Sequence, residues 1–177
     1  YDAFSLSVSS AGTNTVATAS LLFDGSDLSL DAVAEDPYPL ALVAPYTAPV
    51  IANLDGDSLA YAEGAGAVVI EQGGNAAVSD VDSADFDTGA LTVSFASGGV
   101  GTQDVLAIRN QGTGAGQIGV SGANVTYAGS TIGTWVGGSG GSNLVITLNA
   151  NANSTNTAAL IQNITYQNTE TTIPTMG

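Results

Sequence analysis

Thr131-Ile132-Gly133-Thr134-Trp135 and Asn143-Leu144-Val145-Ile146-Thr147-Leu148-Asn149 flank the run Gly137-Gly138-Ser139-Gly140-Gly141. Two strand candidates around a glycine-rich loop read as a β-hairpin, and without a basic residue beside it that loop is no phosphate cradle. The same period-two character runs outward through the chain. Phe4, Leu6 and Val8 alternate with Ser5, Ser7 and Ser9, the signature of a half-buried strand. Further candidates lie at 15–23, 59–63, 67–71, 90–95, 104–109, 117–121 and 124–127. Between them stand turn formers: Gly73-Gly74-Asn75, Asp87-Thr88-Gly89, Gly98-Gly99 and Gly112 to Gly116. Many short strands punctuated this way predict an all-β sandwich or barrel. One helix is expected, over 156–163, too short to stand alone.

Composition narrows the function classes. Among 177 residues, 16 acids face one cation, Arg109, and the formal net charge is −15. The chain has no His, no Cys and no Lys. Histidine-dependent nucleophiles, thiolate or imidazole metal sites, disulfides and Schiff bases are therefore excluded. A nucleic-acid surface needs a basic stripe, which one cation cannot make. Sixteen acids make a chance carboxylate pair inevitable, and one Trp offers little to line a sugar cleft, so no enzyme is expected. Only 10 % of residues are charged, against about 25 % in ordinary soluble domains. A surface of short polar residues suits an extracellular polymer, and no apolar run approaches the roughly 18 residues of a membrane helix. A chain opening at Tyr1 reads as a processed product or a fragment.

Pro37, Pro39, Pro45 and Pro49, four of the five prolines, mark a linker or irregular crossover. The expected organisation is an extension over 1–47, carrying a strand and the proline-rich linker, and a β-sandwich domain over 48–177. The isolated aromatics Phe86, Phe95, Tyr127, Trp135 and Tyr166 are expected in the core. Arg109 is expected in an ion pair with Asp104 or another acid. Asn124, Asn153 and Asn163 match the glycosylation acceptor pattern, a weak signal in a chain this rich in Asn and Thr.

Several pieces in order carry a resemblance. They are Pro49 to Ile70, with Asn53-Leu54-Asp55-Gly56-Asp57 inside it; Val78-Ser79-Asp80-Val81-Asp82-Ser83-Ala84-Asp85-Phe86; Gly89-Ala90-Leu91-Thr92-Val93; Asp104 to Gly112; and Ile164-Thr165-Tyr166-Gln167-Asn168-Thr169. This succession, over roughly residues 48–170, resembles the cadherin-like repeats of large bacterial surface and secreted adhesins. The resemblance implies an Ig-like sandwich, a cell-surface or extracellular location, and Ca²⁺ held by acidic loops at one pole. By position it implicates Glu63, the Asp80-x-Asp82 element, and Asp55 and Asp57. Repeats of this kind continue past the Ile-Thr-Tyr strand into a further strand that cannot be read here.

Eight acids fall between Asp55 and Asp87 with no cation among them, including Asp85 and Asp87. Carboxylates brought close repel by a few kcal/mol at an effective dielectric near 20, and Ca²⁺, which takes about 6–8 oxygen ligands, would offset this. The candidate ligands are Asp55, Asp57, Glu63, Asp80, Asp82, Asp85 and Asp87. The spacing is not that of an EF-hand, and the plain alternative is solvated loops that supply solubility.

A sandwich short of one strand exposes an apolar groove and unpaired backbone, which invites strand addition. The stretch Phe4-Leu6-Val8 is a candidate donor. Exchange between copies is head-to-tail and yields an open filament. The expectation is a structural subunit of an extracellular fibre or surface adhesin, stabilised by Ca²⁺, whose partners are other copies of itself. Two further readings stay open, an extension that closes its own body and an excerpt of a tandem adhesin. A glycan- or surface-binding module is the alternative function.

Overall fold

The computed structural model describes the backbone of residues 3–7 and 18–22 and, in full, residues 47–62 and 64–170. The chain divides within its proline-rich stretch into two units, Tyr1–Ala44 and Pro45–Gly177. In the first, β1 (Ala3–Ser7) and β2 (Thr18–Leu22) pair antiparallel, with Phe4 opposite Leu21 and Leu6 opposite Ala19. Val8, Glu63 and residues 171–177 lie outside the described residues.

The second unit grows from the hairpin quoted above. Gly137 and Gly138 have φ of +79° and +82°, backbone that L side chains rarely adopt, and they turn β10 (Ser130–Gly137) back into β11 (Leu144–Leu148). Trp135 faces Ile146 across this ladder. Alternation does the rest: Leu144, Ile146 and Leu148 are buried while Thr147 is exposed. Fully burying side chains of this kind stabilises by about 1.5–3 kcal/mol each. A register shift between Thr131 and Gly133 bulges β10 against β9 (Asn124–Tyr127). Ile132, at the bulge, is buried.

The unit is nearly all β, with three antiparallel sheets and one short helix among the described residues. The largest sheet runs β6 (Ala90–Val93), β11, β10, β9 and β8 (Ile118–Ser121). A second has β4 (Val68–Val69), β12 (Ile164–Asn168) and β7 (Asp104–Ile108), with β12 central. The third pairs β3 (Val50–Ala52) with β5 (Ala77–Ser79). Leu106, Ile108 and Ile164 of the second sheet join Ile118, Val125, Ile132, Leu144 and Ile146 of the first in one core.

The helix α1 (Ser154–Ile161) starts and ends two residues before the sequence expectation. Its start is set by Asn153, whose side chain accepts the N–H groups of Thr155 and Asn156, while Asn156 returns a bond to the Asn153 N–H. Leu160 and Ile161 enter the core, so packing holds a helix of eight residues that propensity alone would not. Three strand readings change. Residues 59–62 are not strand, whereas β3 and β5, three residues each, were too short to show periodicity.

Candidate functional site

Of the predicted ligands, Asp55, Asp57, Asp82, Asp85 and Asp87 are exposed and Asp80 is half-buried. Asp80 accepts the N–H groups of Asp82 and Ser83, and Asp85 accepts that of Asp87, so both carboxylates brace their own turns. Asp57 receives the Gln72 N–H. Asp82 receives the Thr47 N–H at 2.6 Å; this bond, with the Asp80 carboxyl as a second partner, holds its pKa below the usual value. Asp80, Asp85 and Asp87 border one cleft. Among the described residues no three acids are grouped so as to hold a metal ion.

Among the described residues the two most buried acids are Glu71 and Asp104. Glu71 accepts the N–H groups of Gly74, Asn75 and Ala76 at 2.7–3.1 Å. Burial alone would raise its pKa, but these backbone donors together outweigh it and lower the value. Asp104 is lowered by the Val100 N–H first, then by the Tyr166 hydroxyl, against burial; Asn168 adds a third bond. Burial is the main reason the Tyr166 hydroxyl is raised, with the Asp104 carboxylate adding to it. Among the described residues the expected Arg109 ion pair does not form. Its Nε donates to the Asn163 side-chain oxygen at 2.8 Å, and Asp104 has neutral partners instead. Asn163 is itself buried and Asn153 caps α1, which leaves Asn124 as the exposed, uncommitted acceptor pattern of the three.

The edges of the five-stranded sheet are treated oppositely. At β8, the Asn110 side chain donates to the Val120 carbonyl and accepts the Val120 N–H, copying a neighbouring strand. The Gln111 side chain accepts the Ile118 N–H, and the Gln111 N–H bonds the Ile118 carbonyl. That edge is sealed. Nearby, the Leu106 N–H bonds the Gly138 carbonyl at 2.7 Å and ties β7 to the end of β10.

At β6 no described residue does the same. Among the described residues it pairs with β11 only. The Leu148 N–H bonds the Gly89 carbonyl, and ladder alternation from that pair turns the N–H and C=O of Ala90 and Thr92 away from β11. Beneath this bare edge lie three adjoining clefts of about 260, 410 and 360 Å³. The first is lined by Phe86, Leu91 and Leu148, the second by Leu91, Val93, Ile70, Ile161 and Ile164, the third by Val93, Phe95, Leu106 and Tyr166. Leu91 links the first two clefts and Val93 the last two, so together they form a groove along β6. Large apolar side chains stay exposed beside it: Ile51 at 45 %, Leu54 at 40 % and Phe95 at 42 %. Phe95 was expected in the core, but it stacks edge-on against Tyr166 at 5.9 Å at the groove's end.

Thr157 of α1 lines the first cleft, and its hydroxyl is buried without a hydrogen-bond partner among the described residues. Sequence reasoning missed Thr157, Asn110 and Gln111, because their roles depend on what packs against them. No family model, curated protein or solved structure matches this chain.

Proposed function

We propose that this chain is a structural, non-catalytic subunit of an extracellular fibre or surface adhesin, its main sheets packed as an Ig-like, cadherin-like sandwich, and that copies join head-to-tail by β-strand addition. One observation carries this reading: Asn110 and Gln111 seal the β8 edge, whereas among the described residues nothing pairs with the outer edge of β6, which stands over a largely apolar groove. An uncovered strand edge is a template for another chain, and folds that do not use such an edge cover or charge it. From Ala90 to Ser94, β6 and the residue after it carry no charge. Calcium belongs to the proposal through charge: neutralising the acids of the 55–87 loops relieves their mutual repulsion.

The test is sedimentation velocity and electron microscopy of the full chain over a wide concentration range. Assembly is expected to grow with concentration. Thr92→Pro deletes an N–H on the free edge and leaves the β11 ladder intact, so it should suppress assembly while Trp135 fluorescence stays native. A chain that remains monomeric throughout, or a Thr92→Pro variant that assembles like the parent, would overturn the reading.

A further inference from the structure

The groove on β6 is graded along its length, and the gradation specifies what enters it. Its first cleft is lined by Asp80, Asp85 and Asp87 and by Thr157, whose buried hydroxyl has no hydrogen-bond partner among the described residues. The middle cleft is lined by Ile70, Ile161 and Ile164, with Asp57 and Glu71 also in its lining. The third has no carboxylate in its lining and presents the rings of Tyr61, Phe95 and Tyr166, with Tyr61 edge-on to Tyr166 at 4.7 Å. Leu91, Val93 and Phe95 occur at every second position alongside, so an added strand offers one inward side chain roughly every 7 Å.

Resting on the strand-addition reading above, we propose that the occupant is the segment Phe4–Ser10 of a second copy, running antiparallel to β6. Phe4 then meets the aromatic end, Leu6 the middle cleft and Val8 the first cleft, with Ser10 reaching Thr157. The register pairs Phe4 with Phe95, Leu6 with Val93, Ser7 with Thr92 and Val8 with Leu91.

Charge and hydrogen bonding choose both the segment and its direction. The inward positions Phe4, Leu6, Val8 and Ser10 read apolar, apolar, apolar, hydroxyl, the same order as the groove from its aromatic end to Thr157. Asp2 shares that parity. In the parallel direction its carboxylate would lie beside the three acids Asp80, Asp85 and Asp87; antiparallel, it lies past the aromatic cleft, opposite Ser97, where the neighbouring cleft is lined by one acid, Asp104. A buried hydroxyl without a partner is costly, and Ser10 supplies one. The donor also has reason to move. Among the described residues β1 is paired by β2 alone, and a two-stranded pair is marginal in water until a further strand or a core joins it.

The chain has no cysteine, so introduced thiols report on themselves alone. Full-length Ser7→Cys and full-length Thr92→Cys, one carrying a size tag, are mixed under mild oxidation. A mixed disulfide dimer is expected, and it should be lost when Ser5→Cys replaces Ser7→Cys. The parallel register would pair Ser5 with Thr92 and reverse that result, overturning the assigned direction. A disulfide formed inside the Ser7→Cys/Thr92→Cys double variant, with none in the mixture, would show closure within one chain and overturn the second copy as occupant. Assembly by sedimentation without either cross-link would sink this register while leaving strand addition elsewhere standing. Absence of both assembly and cross-link would sink both.

Discussion

Replacing Gly138 by Ala tests why one side of the unit is closed and the β6 side open. Gly138 is buried at φ +82°, and a Cβ there would run into the Leu106 carbonyl oxygen. Its own carbonyl receives the Leu106 N–H at 2.7 Å, and Leu106 is 3 % exposed. A left-handed conformation costs a residue with a Cβ roughly 1–2 kcal/mol. Displacing the carbonyl leaves a buried N–H unpaired, about 1–3 kcal/mol more. The expected loss is about 2–5 kcal/mol, a fall of about 1–2 M in the urea midpoint for a mid-range loss and a typical slope. Gly140→Ala is the control. Its φ is +63° but nothing stands within 4 Å of a Cβ, so strain alone applies and the loss should stay near 1–2 kcal/mol. Urea unfolding followed by Trp135 fluorescence measures both variants. Equal losses would refute the close approach of β7 to the β10–β11 turn as a source of stability.

Other consequences are simpler to check. Glu71 has a lowered folded pKa, so its contribution to stability is complete above its unfolded value of 4.5 and drains away as pH falls through the folded value. Urea midpoints should hold steady above that pH and decline below it, and Glu71→Gln should flatten the decline. Asn153→Ala removes the cap of α1 and should cost about 1 kcal/mol, read from the same unfolding curves. On the calcium proposal, the melting temperature should be higher in Ca²⁺ than in chelator. Asp80→Asn with Asp85→Asn, which keeps an acceptor oxygen in each turn, should raise the melting temperature in chelator and narrow that gap. A melting temperature identical in calcium and chelator would remove calcium from the proposal.

What the sequence alone determined was local. Alternation places β1, β2, β6 to β11 and their glycine turns to within a few residues, because a strand that buries one face must repeat every second position. The helix was visible through Leu160 and Ile161, though not its start, since Asn153 and Asn156 cap each other only once the turn exists. β3 and β5 were invisible: Val50–Ala52 and Ala77–Ser79 are too short to carry a period and are strands because they pair with each other. The acids show the limit most clearly. Their crowding between Asp55 and Asp87 is plain in one dimension, yet folding spends Asp80 and Asp85 on backbone N–H groups of their own turns, and Asp57 and Asp82 on those of Gln72 and Thr47. Only the tertiary structure decided which edge the described residues leave bare. Nothing in Asn110-Gln111 announces that two amide side chains will stand in for a strand beside β8, and nothing in Ala90-Leu91-Thr92-Val93 that its outer edge will lack one. Hydrogen bonds saturate, so an edge is open or closed according to which groups reach it, and that is a property of distances between segments far apart in the chain.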